Sequence, residues 1–226
     1  KMESYTMDQN QSSDQTRRKF LETSGVALAG GALSTTMLTP GAVHASGSPV
    51  LRVGLVGCGG RGTGAAAQAL TADPQVELVA MGDTFADRVD QSYGQLKKTA
   101  IADRVKVDRD HRFSGFNAYQ AVIDQCDVVL LATPPHFRPE HLKACVDSGK
   151  HVFVEKPVAV DGSGVRSVME TCKKASEKGL NIVSGLCWRY HYGMRETFQQ
   201  ILDGAVGEIM TLQCTYHTSE LWYHDR

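Results

Sequence analysis

Apolar residues in this chain gather in short unbroken runs, separated by stretches with helical periodicity. The first run, at 51–56, reads Leu-Arg-Val-Gly-Leu-Val and predicts a strand. A small-residue helix over 63–72 follows, then a second apolar run at 76–83 and a helix over 85–98 with Asp87 and Arg88 early in it. Residues 100–114 are polar and leave room for one short strand, and 117–124 reads as a short helix. Residues 126–132, Cys-Asp-Val-Val-Leu-Leu-Ala, are apolar and β-branched, as a central parallel strand should be. That run halts at Thr133-Pro134-Pro135, which neither helix nor strand continues.

A helix over 139–148 is closed by Gly149, and a strand is expected at 151–155. Asp161 or Ser163 caps a long helix that runs to Lys178 and stops at Gly179, before a further strand at 181–185. Strands alternating with helices over short connections predict an α/β fold: a doubly wound parallel sheet with helices on both faces, of the Rossmann type. The pattern changes after Trp188. A helix is expected over 192–202, and 207–219 alternates Ile209, Thr211, Gln213, Thr215 and His217 against Met210, Leu212, Cys214 and Tyr216. Such a strand suits an open antiparallel sheet with one covered face. One strand is not a sheet, so 188–226 is expected to be the start of an incomplete α+β domain, following a dinucleotide-binding domain at 50–187.

Composition narrows this picture only modestly. The 226 residues are 42% hydrophobic and 22% charged with a net charge of −1, ordinary values for a globular protein. No basic excess points to nucleic acid, and no apolar stretch reaches the roughly 18–20 residues of a membrane span. The six cysteines are scattered without a C-x-x-C pair, so neither zinc nor a disulfide is expected, and several of them, in expected strands or helices, read as small buried hydrophobes.

The leader at 1–49 stands apart. Thr16-Arg17-Arg18-Lys19-Phe20-Leu21 resembles a twin-arginine export signal, with a Gly/Ala-rich apolar stretch from Gly25 to Leu38 and small residues positioned for cleavage after Ala45. The expectation is export to the periplasm by the twin-arginine machinery. That route carries proteins already folded around a cofactor, which suits a protein bound for a compartment with little free nicotinamide nucleotide.

The chemistry concentrates where the strands end. Gly57-Cys58-Gly59-Gly60-Arg61-Gly62 stands between the first strand and its helix. Gly57 allows the tight turn, Gly59 lets backbone approach a pyrophosphate, Gly62 lets the helix pack close, and the helix N-terminus offers N–H groups to phosphates. Asp83 ends the second strand, where an acid binds the adenosine ribose and repels the extra phosphate of NADP, favouring NAD. Arg61 and Arg88 argue the other way, since either could pair with a 2′-phosphate. Thr133-Pro134-Pro135-His136 and Glu155-Lys156-Pro157 both follow strands on the ligand-binding edge, and Lys156 there can donate hydrogen bonds to sugar hydroxyls. Trp188-Arg189-Tyr190-His191 follows the last strand; Arg189 and Tyr190 could reach a polyol, or could belong to a packed aromatic hinge.

The glycine loop, Ala132-Thr133-Pro134, and Gly149-Lys150-His151-Val152-Phe153-Val154-Glu155-Lys156-Pro157 stand in the order and spacing of a known family. Over roughly 51–220 the chain resembles the glucose–fructose oxidoreductase/inositol dehydrogenase/MocA oxidoreductases. The resemblance implies that Gly57, Gly59 and Gly62 hold the pyrophosphate and that Asp83 faces the adenosine ribose; Gly60, Arg61 and Arg88 are further candidate cofactor contacts. It further implies that Thr133, Pro134 and His136 line the nicotinamide side. Glu155 and Lys156 would contact nicotinamide ribose and substrate, with Lys156 the catalytic lysine. Arg138 departs from the pattern, standing where many members carry a histidine. The family's acid–histidine pair lies beyond the position of Arg226.

Three function classes follow as expectations. The first is an exported oxidoreductase moving hydride between a sugar or polyol hydroxyl and a tightly held NAD, with NADP as the alternative, and acting as a homo-oligomer. The second is a glycosidase that oxidises its sugar transiently. The third is a nucleotide-binding module without activity of its own.

Overall fold

The computed structural model of the chain describes residues 50–217. The leader and its export motif lie outside the described residues.

Six strands form one wholly parallel sheet: β1 (Leu51–Val56), β2 (Val76–Asp83), β3 (Arg112–Ser114), β4 (Val128–Leu131), β5 (His151–Val154) and β6 (Ile182–Ser184). Their order across the sheet is β3-β2-β1-β4-β5-β6. The chain winds outward from β1 in one direction, then returns to β4 and winds outward in the other. The reversal opens a crevice beside the carboxyl ends of β1 and β4, where ligands of such sheets sit.

The helices cover both faces. On one face α1 (Gly60–Ala72) and α2 (Ala86–Leu96) pack through Ala66, Leu70, Val89 and Leu96 against Val53, Leu55 and Leu78. On the other, α3 (Ala118–Gln125), α4 (Arg138–Asp147) and α5 (Gly162–Glu177) pack Val122, Leu142, Cys145 and Val168 against Val129, Leu131 and Val152. Strands covered on both faces need apolar residues throughout, which is why they read as unbroken runs rather than alternations. Gly54 on β1 marks where α3 comes closest: a Cβ there would lie 2.6 Å from Val122 Cγ1 and 2.7 Å from Cys126 Sγ. Cys58, Cys126 and Cys145 are buried in these layers, as small hydrophobes should be.

The expected elements are all found up to residue 202, with two boundaries of consequence. Helix α1 starts at Gly60, three residues before the expected start at Thr63, and Thr63 N–H closes its first turn onto Gly59 O at 2.9 Å. Glycine's poor helix propensity hides this start; packing of the glycine loop under the helix overrides it. Of the two candidate caps of α5, Asp161 is the one used, its Oδ1 accepting Gly164 N–H at 2.6 Å.

Over 207–217, the described part of the strand expected at 207–219, no strand is formed. After α6 (Tyr192–Leu202) residues 208–217 carry no regular structure and are exposed, and 218–219 lie outside the described residues. A strand is stabilised by neighbours that pair its backbone and cover one face. Among the described residues none lies alongside, so Met210, Leu212 and Tyr216 stay in solvent.

Candidate cofactor site

The crevice is a cleft of about 790 Å³ at the carboxyl edge of the sheet. Its floor is the glycine loop. Gly57 turns out of β1 at φ +95°, with its N–H bonded to Gly82 O at 2.8 Å. A side chain there would face both strain and the Ala132 backbone, 2.7 Å from the Cβ position. A Cβ on Gly62 would fall 1.8 Å from Gly57 O, so only glycine lets α1 sit this tightly on the loop. Gly59 and Gly60 line the cleft. The first turn of α1 contains no acidic residue, so the partial positive charge of its N-terminus is uncompensated.

Asp83 closes β2 on the same edge. Its Oδ2 accepts the Cys58 N–H at 2.7 Å and its Oδ1 the Phe85 N–H at 3.1 Å. The acid is thus held by the glycine loop on one side and by the approach to α2 on the other. Burial and the Asp83 charge push the neighbouring Cys58 thiol far up, so it stays protonated and inert. Arg88 on α2 also lines the cleft.

The opposite wall is built by the loop after β4 and the start of α4. Thr133 and Pro134 line it with Pro135. His136 does not: it is exposed, edge-on to Phe137 at 5.2 Å. Phe85, Phe116, Phe137, Arg138 and His141 line the cleft without having been singled out as cofactor contacts from sequence. Phe85 and Phe116 are strongly exposed, 62% and 71%, offering flat apolar faces to a planar ring. The usable signal for His141 was Pro139, which marks the helix start and puts Arg138 and His141, three apart, on one face of the first turn. His141 stacks between Tyr119 and Phe137 at 4.1 and 5.9 Å, with Nδ1 3.3 Å from Thr133 Oγ1. Burial drives its pKa down to about 4, so it is neutral near pH 7.

Glu155 and Lys156 follow β5 and stand outside the cleft lining. Glu155 is buried; its Oε1 lies 2.6 Å from both Arg61 Nε and Arg61 Nη2. Arg61 thus lines the cleft beside Gly59 and Gly60 while its guanidinium pairs with the carboxylate at the end of β5. Lys156 is exposed, and among the described residues its ammonium has no ionic or hydrogen-bonded partner. Arg138 is 5% exposed and donates from Nη1 to Pro157 O, while burial lowers its pKa. Arg189 and Tyr190 lie on an exposed 3-10 turn at Cys187–Tyr190 and do not line the cleft.

The match to known proteins follows the same anatomy. Residues 51–182, more than half of the chain, match the family described as an oxidoreductase family with an NAD-binding Rossmann fold. A dTDP-3,4-didehydro-2,6-dideoxy-alpha-D-glucose 3-reductase from Actinomadura kijaniata is 25% identical over 176 residues, covering 76% of this chain and 47% of the relative. A glycosyl hydrolase family 109 protein from Streptomyces coelicolor is 30% identical over 166 residues, covering 71% of this chain and 33% of the relative. Among solved structures, the fold matches scyllo-inositol dehydrogenase from Lactobacillus casei with bound NAD(H) and scyllo-inositol at TM-score 0.56 and 21% identity. That match covers 70% of this chain and 43% of the other. The chain spans less than half the length of these relatives. It belongs to the glucose–fructose oxidoreductase/inositol dehydrogenase/MocA family of oxidoreductases, and residues 51–182 are its NAD-binding Rossmann fold.

Proposed function

We propose that the chain is the nucleotide-binding part of an exported, homo-oligomeric enzyme that moves hydride between a sugar or polyol hydroxyl and a nicotinamide nucleotide, NAD in preference to NADP. The observation that carries the reading is the cradle at the switch from β1 to β4. Gly57 and Gly62 are packed too tightly for any side chain, and they bring an uncompensated helix N-terminus to the floor of the cleft. A pyrophosphate fits that floor. Each Asp83 oxygen accepts one backbone N–H and keeps a lone pair for a ribose hydroxyl. Arg61 and Arg88 both line the cleft, but Arg61 is already paired with Glu155, which supports NAD.

When bound, the nicotinamide supplies a hydride acceptor and donor. The protein's own part is positioning and proton handling. Lys156, unpaired and at the end of β5, donates a hydrogen bond to the substrate hydroxyl oxygen and favours its alkoxide character. Thr133, held by neutral His141, and Pro134 shape the wall beside it. The relatives that reduce a deoxysugar and bind scyllo-inositol support a polyhydroxylated substrate. The glycosyl hydrolase relative supports a second reading, glycoside cleavage without net redox change. The glycosidase cycle returns its hydride to the same sugar, whereas the oxidoreductase, with its nucleotide kept bound, would return it to a second, carbonyl-bearing substrate in the same site.

Titration calorimetry of the folded full-length protein with NAD and with NADP tests the proposal. We expect saturable heat with NAD and weaker binding of NADP, unless mass spectrometry shows a nucleotide already in place. Absence of heat with both, and of any co-purified nucleotide, would overturn it. NAD-dependent release of an aryl aglycone without lasting NADH would select the glycosidase reading, and net NADH the dehydrogenase.

A further inference from the structure

The turn that carries Lys156 has lost the sheet's support. Glu155 N–H makes the last ladder bond, to Leu131 O at 2.9 Å, and beyond it Lys156 and Pro157 are exposed. What holds the turn is side chains. The Glu155 carboxylate folds back so that Oε2 accepts the Lys156 N–H at 3.1 Å, while Oε1 takes two donors from Arg61. Gly185 is what makes this seat possible: a Cβ there would lie 2.9 Å from Oε1. Arg138 fixes the other end through Pro157 O.

The Glu155 side chain is only 6% exposed, so its charge must be paired. Two cations are within covalent or geometric reach: Arg61 from the start of α1, and the ammonium of Lys156, the very next residue. Arg61 takes the carboxylate, and Lys156 has no side-chain partner among the described residues. Gln68 Oε1 holds a further guanidinium nitrogen at 3.3 Å and keeps the arginine in place.

We propose that Arg61 is a positioning residue: by neutralising Glu155 it prevents that carboxylate from capturing the adjacent Lys156 ammonium, and so keeps the lysine free for substrate. The value of a free Lys156 rests on the function proposed above; the competition between the two cations for Glu155 does not. In this account Arg61, which also lines the cleft, acts on the lysine through Glu155. Arg138 is a second brace on the same turn.

The test is competitive acetylation of the full-length protein with acetic anhydride, read by mass spectrometry of the Lys156 peptide. In wild type Lys156 reacts as a free surface amine. In Arg61→Met the ammonium pairs with Glu155, and labelling falls about tenfold, because the carboxylate holds the amine in its unreactive protonated form. Arg61→Lys, which retains a cation, labels like wild type. In an Arg61→Met/Glu155→Gln double variant no buried charge remains to capture the lysine, and labelling returns to the wild-type rate. The double variant also covers the case in which Arg61→Met alone does not fold. Unchanged labelling in Arg61→Met, or a double variant that stays unreactive, would overturn the proposal. So would an Arg61→Met protein whose only defect is a raised Kd for NAD, because Arg61 would then be a nucleotide contact. If wild type binds no nucleotide, the function proposed above falls while the labelling comparison still reads the pairing.

Discussion

His141 is the residue whose surroundings most change its chemistry. Packed between two rings and 6% exposed, it is held neutral, with its pKa depressed to about 4 from an ordinary 6.5. The sign of the consequence follows. In the unfolded chain the imidazole takes a proton below pH 6.5, while in the folded chain it resists down to about 4. Its contribution to stability is therefore full above pH 6.5 and is lost as pH falls to about 4, by on the order of 3 kcal/mol. Urea titrations across that range should show the fall, and His141→Gln should flatten it. The carboxylates Asp127 and Asp147, with pKa values below 3.8, act at lower pH and do not blur the window. Sequence reached residues such as Gly57, Gly62 and Asp83 because a local motif fixes their spacing. It could not reach the pairing of Arg61 with Glu155, 94 positions apart, because only the folded sheet brings α1 and β5 together.

At the scale of elements, the seat of α3 on the sheet depends on one missing side chain. Gly54→Ala drives a methyl into Val122, which is fully buried and stiff, and into Cys126. Overpacking of this kind costs about 1–3 kcal/mol. Chemical denaturation should show that loss, and in a Gly54→Ala/Val122→Ala protein the two costs should sum to more than is measured, because the smaller side chain makes room. The helices and strands up to residue 202 were legible because each is closed by its own signal: Asp161 before α5, the Thr133-Pro134-Pro135 stop after β4. The reading failed at 207–217 for the complementary reason. Alternation reports which face a strand would bury, but a strand forms only where a partner exists, and partners are not local.

For the whole molecule, strand order decides where chemistry happens. Alternating strands and helices implied a parallel sheet, and the order β3-β2-β1-β4-β5-β6 puts the glycine loop, Asp83 and the Thr133 loop on one rim. The proposed export makes a separate demand: the protein must fold and fill its cleft before it crosses the membrane. Replacing Arg17 and Arg18 together by lysine should leave the protein in the cytoplasm, as fractionation and immunoblotting would show; continued export would sink that proposal. The tethering of Asp83 has an engineering consequence. The same carboxylate that would select the coenzyme also pins the Cys58 amide of the loop beneath it. A redesign for NADP that simply deletes this acid removes a brace from the phosphate cradle along with the discrimination. Changing the preference while keeping the grip calls for asparagine, whose carbonyl can still take that amide, rather than alanine.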